Sequence, residues 1–140
     1  MNSEETLELL RRSVADWNRQ RSERELGEID LERCDLAELD LSGADLRRAR
    51  LMRADLMGAR LVGADLRRAS LVGSYLLGAD LRRARLDGSD LRAADLRGAR
   101  LEGASLRDSL FLTAAQLESA TGDRTTRLPR RLPRPSHWSD

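Results

Sequence analysis

Few side chains in this sequence could carry a reaction. His137 is the only histidine, and it stands in a tail that holds all three prolines. Ser, His and Asp all occur, but no spacing gives a defensible triad. Cys34 is the single cysteine, so an internal disulfide and a cysteine-built metal cage are both excluded. The expectation is a protein without catalysis, cofactor or metal. The remaining reactive capacity is electrostatic. Every basic residue is arginine, and two Arg-Arg pairs, Arg47-Arg48 and Arg67-Arg68, lie twenty residues apart. Guanidinium forks suit carboxylates and phosphates, so these four are candidates for an anionic partner or for nucleic acid. Asp45 and Asp65 stand beside them, and few aromatics lie near, which leaves single-strand stacking unsupported.

The elements that place these residues follow from one period. Leucine occupies every fifth position from Leu26 through Leu31 and Leu36 to Leu106, and Phe111 takes the next slot, for eighteen consecutive units. Two residues earlier stands a small side chain, from Ala44 to Ser109; the first units carry Ile29, Cys34 and Leu39 there. Five steps of an α-helix would smear the leucines around its surface, and a flat strand would alternate them between two faces. Only a path that turns a corner in every unit keeps them all on one side. The chain must coil, with leucine and the small residue inside, and neighbouring coils bonding at about 4.8 Å. Cys34 then falls in an inward slot as a small buried hydrophobe.

Two residues after the leucine stand glycines such as Gly43, Gly58 and Gly63, suited to positive φ in a type II turn. Arg48, Arg53, Arg68 and Arg83 take that slot elsewhere, predicting corners without positive φ. Aspartate precedes the leucine in half the units, from Asp30 to Asp95, where a short carboxylate can accept backbone N–H groups at a bend.

Strings such as Ala44-Asp45-Leu46-Arg47-Arg48 and Ala64-Asp65-Leu66-Arg67-Arg68 resemble the A-[D/N]-L-x-x motif of the bacterial pentapeptide-repeat proteins. The resemblance implies an all-β solenoid, a right-handed quadrilateral parallel β-helix with one pentapeptide per side and twenty residues per coil. It covers residues 24–113. Residues 1–23 are expected to form an amphipathic capping helix, with Leu7, Leu10, Val14 and Trp17 on one face and Ser3 capping its start. Residues 114–140 are expected to form a short C-terminal helix and a proline-rich capping tail. There Thr113 to Gln116 resembles a capping box, Gly122 ends the helix, and Leu128, Leu132 and Trp138 dock on the last coil.

Twenty residues per coil turns the sequence into a surface map. Met52 stacks under Val72 and Met57 under Leu77, Tyr75 lies beside Leu77, and Val62 sits on the next side. These six form a candidate partner-binding patch, for a second copy or another protein. Vertical columns such as Arg60, Asp80 and Arg100 predict salt-bridge ladders. Charge is uneven: eight acids and one arginine from Glu25 to Asp45, then fourteen arginines and seven acids from Arg47 to Arg107. The resemblance also implies a second class, binders of DNA gyrase and related topoisomerases that imitate duplex DNA and protect against topoisomerase poisons. The basic body departs from that pattern. The favoured reading is a non-catalytic scaffold for a protein partner. No apolar run spans a bilayer and the first residues are polar and acidic, so no membrane role and a cytoplasmic location are expected.

Overall fold

The computed structural model describes residues 1–24 and 27–138; Glu25 and the first repeat leucine, Leu26, lie outside the described residues. From Leu31 to Leu106 every repeat leucine is at most 2% exposed. The small residues from Ala44 to Ser109 line the same interior. The residue before each leucine pairs in parallel with its counterpart twenty residues on, as in the column Asp30, Arg50, Ser70, Asp90 and Leu110. Twenty residues therefore make one coil with four corners, and five layers stack. Every repeat leucine N–H from Leu31 to Leu106 except that of Leu96 bonds to the coil above, Leu31 to the Arg50 carbonyl at 2.8 Å. The residue before it bonds to the coil below, Arg50 N–H to the Ile29 carbonyl at 2.8 Å. Sides are so short that each contributes a single bridged residue rather than a strand.

Corners are uniform, and this corrects one expectation. Arg48, Arg53, Arg68 and Arg83 have φ of 61°, 56°, 60° and 60°, in the same left-handed region as the glycines. Each corner also closes the same turn bond, such as Ala49 N–H to the Leu46 carbonyl at 3.1 Å. Only one turn geometry closes a coil on twenty residues, so arginine accepts a strain of about 1 kcal/mol where glycine has none. The corner aspartates behave as expected. All nine, from Asp30 to Asp95, accept the N–H two residues on through Oδ1. Glycine has a second task where a long side chain lies below. A Cβ on Gly88 would meet Arg68 Cγ at 3.1 Å, and one on Gly103 would meet Arg83 Cγ at 3.2 Å.

The N-terminal segment forms two helices, α1 (Ser3–Arg12) and α2 (Val14–Glu23), rather than one. Ser13 is extended at φ −161° and its Oγ accepts the Asp16 N–H, so it breaks the first helix and caps the second. Asn2, not Ser3, caps α1; Ser3 Oγ instead donates to the Asp30 carbonyl at 2.8 Å. The helices meet the open edge of the first coil with side chains that do what another coil's backbone would do. Trp17 Nε1 donates to the Asp45 carbonyl at 2.8 Å, and Arg11 donates to the Asp35 carbonyl. Asn18 donates to the Gly43 carbonyl while accepting the Asp45 N–H, both halves of a peptide group. Trp17, Leu9 and Leu10 are buried against the spine, and Leu7 and Val14 are partly buried.

At the other end the leucine register stops at Leu106. Phe111 turns outward at φ 62° and is 56% exposed, and Leu112 takes the interior place. Thr113 and Gln116 form the expected capping box of α3 (Ala114–Glu118). Beyond it the chain is more than a lid, since Thr121 pairs with Arg100 and Arg127 with Ser105. Ala120 and Thr126 fill inward slots, with Thr126 Oγ1 donating to the Leu101 carbonyl. Leu128 and Leu132 are partly buried against the core, and Trp138 is buried and donates to the Ala120 carbonyl. The helix ends at Ser119, and Gly122 serves another purpose: a Cβ there would lie 2.6 Å from the Trp138 ring. Cys34 is only half-buried, and burial pushes its thiol pKa up.

Two substitutions separate spine from closure. Leu66→Asp puts an unpaired carboxylate in the interior and should cost more than about 4 kcal/mol, read as loss of the cooperative melt. Gly122→Ala should cost about 1–3 kcal/mol by overpacking. It should also release Trp138, read as a red shift in tryptophan emission with the β-helix circular dichroism retained. An unshifted spectrum would remove the packing account.

Candidate interaction surfaces

The geometry brings five of the six apolar candidates together. Met52 and Val72 stack on the first corner of successive coils, Met57 and Leu77 on the second, and Tyr75 fills the side between them. Met57 and Tyr75 are 46% and 48% exposed; Met52, Val72 and Leu77 are half-buried. Val62 is not part of this wall. It lies on the third corner and lines a polar groove with Arg82, Arg83, Glu102 and Asp123. Two residues extend the wall beyond what the period predicts. Phe111 rests on the Arg92 guanidinium, 4.2 Å from its ring centre, and Arg92 tops the Met52–Val72 column. Leu110 beside it is 48% exposed. Their sequence signal was the run Leu110-Phe111-Leu112, in which three large apolar residues compete for one inward slot.

The arginine candidates also converge. Arg47, Arg48, Arg67, Arg68 and Arg85 line one open groove of about 490 Å³ on the fourth corner, with Asp87, Gly88 and Asp108. Arg47 clasps Asp45 with Nε and Nη2 both at 2.8 Å, and Arg67 clasps Asp65 at 2.9 and 2.7 Å. The same clasp joins Arg82 to Asp80 and Arg97 to Asp95. This corrects the expected ladder of Arg60, Asp80 and Arg100. The carboxylate is already turned toward its own corner N–H, so the arginine two residues on reaches it first. Among the described residues ion pairing between coils appears instead where Arg50 faces Glu28, Asp30 and Glu32 at 3.4–3.7 Å and where Arg47 approaches Asp65 at 3.9 Å.

These contacts set the titration of the wall. The Arg47 hydrogen bond holds Asp45 below the ordinary carboxylate range, and Arg82 does the same for Asp80. At Asp65 burial pushes upward, but the hydrogen bonds from Arg67 outweigh it and the pKa falls. Burial lowers the pKa of Arg21, which approaches Asp45 at 3.9 Å.

The model for pentapeptide repeats matches residues 25–51, 49–88 and 74–111, in eight copies. The chain belongs to the pentapeptide-repeat family. Its fold is similar to that of Rfr23, a pentapeptide-repeat protein from the cyanobacterium Cyanothece 51142. The identity is 28% over 74% of this chain and 67% of that one, with a TM-score of 0.53. HetL from Nostoc sp. strain PCC 7120, a pentapeptide-repeat protein involved in heterocyst differentiation regulation, is 32% identical over 74% of this chain and 61% of its own, TM-score 0.38. QnrB1, a plasmid-mediated fluoroquinolone resistance protein, is 24% identical over 69% and 53%, TM-score 0.34. The chain thus spans about three fifths of HetL and half of QnrB1. No curated protein matches it.

The clasped aspartates of this pentapeptide-repeat chain give a pH dependence of defined sign. A carboxyl whose folded pKa is lowered stabilises the fold at and above its unfolded pKa, and that stabilisation is lost as pH falls through the folded value. Melting temperature should be level from neutral pH to about 5 and decline below about 4. Asp45→Asn with Asp65→Asn should flatten the decline. A fall between pH 7 and 5 would contradict the clasp account.

Proposed function

We propose that this pentapeptide-repeat protein is a non-catalytic binding module. In this reading a right-handed coil presents the wall of Met52, Met57, Val72, Tyr75 and Leu77, extended by Leu110 and Phe111, to a protein partner. The observation that carries it is the clustering of exposed apolar side chains on adjoining corners of successive coils, with Met57 and Tyr75 about half exposed. Clustered apolar surface of this kind marks interaction sites more than scattered residues do, and methionine adapts to varied partner shapes. The backbone beneath is bonded above and below at every layer, so binding orders little of it.

Charge supports a partner different from the chain itself. The side that holds Tyr75 carries Asp35, Asp55 and Asp95 in the same column. Two copies meeting there about a two-fold axis, with coils parallel or antiparallel, would set aspartate against aspartate. The corner aspartates taken together weigh against imitation of DNA. Each is turned onto its own corner, and Asp45, Asp65, Asp80, Asp90 and Asp95 pair with arginine.

Met57→Glu with Leu77→Glu tests the wall, since both side chains point outward and the fold should melt unchanged. The wild type should be monomeric by light scattering and should retain a protein from source-cell extract that the double variant loses. Equal capture by both proteins, or a wild-type dimer that the variant abolishes, would overturn this reading.

A further inference from the structure

The arginine corner lies apart from the apolar wall, and its charge is arranged differently from the rest of the fold. Six guanidinium groups, those of Arg21, Arg47, Arg48, Arg67, Arg68 and Arg85, gather at the carboxylates of Asp45 and Asp65, with Asp87 and Asp108 at the upper end of the same groove. Asp45 is held by Arg47 and approached by Arg21 at 3.9 Å; Asp65 is held by Arg67 and approached by Arg47 at 3.9 Å. Elsewhere arginines are paired singly, outnumbered by acids or, as with Arg53, Arg60, Arg83 and Arg100, outside any ion pair among the described residues without gathering in one groove. Asp80, Asp90 and Asp95 each pair with one arginine, and Arg50 alone faces Glu28, Asp30 and Glu32. Among the described residues no ion pair holds Arg48, Arg68 or Arg85.

Position adds to composition. Arg48 and Arg68 occupy the same corner one coil apart, a rise of about 4.8 Å. The positive φ turns the Arg68 side chain along the coil axis, so its Cγ lies beneath Gly88, where a Cβ would come within 3.1 Å. Arg85 lines the same groove from the adjoining side. Downward, Arg47 and Arg48 also line a second hollow with Arg21, Arg24 and Glu28. Asp87 and Asp108 close the upper end, so a long polyanion running up the wall would meet like charge. No aromatic side chain lines the groove, so it offers no stacking platform for a planar base.

We infer that this corner binds a short run of linked phosphate groups, about two or three in line, with Arg48, Arg68 and Arg85 as the contacting cations. Arg47 and Arg67, braced by their aspartates, form the flanks. Guanidinium forks give paired hydrogen bonds to phosphoryl oxygens, and the coils fix the backbone positions from which these side chains project. A free oligophosphate and the backbone of a nucleic-acid strand present the same chemistry.

Calorimetric titration with tripolyphosphate and with a short DNA duplex, at about 50 and 200 mM salt, tests this. Arg48→Gln with Arg68→Gln should weaken tripolyphosphate binding about tenfold or more. Arg60→Gln with Arg100→Gln, which removes the same charge from another side, should leave it within about twofold. Arg48→Gly with Arg68→Gly, which relaxes the positive φ, should match the glutamine variant and so exclude a folding defect. Met57→Glu with Leu77→Glu should retain binding, which separates failure here from failure of the protein-docking wall. Tighter binding of the duplex than of tripolyphosphate, lost in the same variants, would assign the phosphates to a nucleic-acid strand. Equal weakening in the two glutamine variants, or binding of neither probe by the wild type, would overturn the inference.

Discussion

Everything in this molecule depends on a corner that recurs every five residues with the same left-handed twist. Because each corner bends alike, twenty residues close a coil, and the N–H of one layer meets the carbonyl of the next at 2.7–3.0 Å across the regular layers. A corner of different geometry would move that register and with it every leucine. That is why arginine, glutamate and alanine are held at positive φ beside the glycines. The interior leucines reward closure, each worth about 1.5–3 kcal/mol when fully buried, against a corner strain of about 1 kcal/mol.

A coil has no natural end, and both ends here are closed by copying the hydrogen bonds that another layer would make. Asn18 donates and accepts as a peptide group does, and Trp17 and Arg21 take further carbonyls of the first coil. At the far end the chain goes on coiling without the leucine period. Ala120 and Thr126 fill inward places, and Gln116 donates to the carbonyls of Leu91 and Ala94. The closures border the third and fourth corners, with Asp123 and Thr125 beside Val62 and Arg21 and Arg24 beside Arg47 and Arg48.

Charge on those walls is governed locally before it is governed by stacking. An aspartate that bonds its own corner N–H is aimed at the residue two positions on, and an arginine there completes a two-pronged clasp. Surface pairs of this kind add little stability individually, but they decide which charges remain available to solvent. The fourth corner keeps a surplus because two adjacent arginine pairs stack there one coil apart, and only the first of each pair has an aspartate to clasp.

How much of this could be read beforehand follows from the range of each interaction. The five-residue period, the inward leucines, the Asx bends and the capping box at Thr113 are written in short-range pattern, and the amino-acid sequence alone determined them; the stacking of five of the six apolar candidates needed in addition the twenty-residue coil that the family resemblance implies. Tertiary structure decided what depends on neighbours far along the chain. Ser13 breaks the leading helix, and α1 and α2 on either side of the break both reach carbonyls of the first coil. Phe111 faces outward because Leu112 takes the interior slot. Gly122 is glycine because Trp138 lies against it. The arginine corners twist left because coil closure admits no other turn, a constraint that exists only once the layers are stacked.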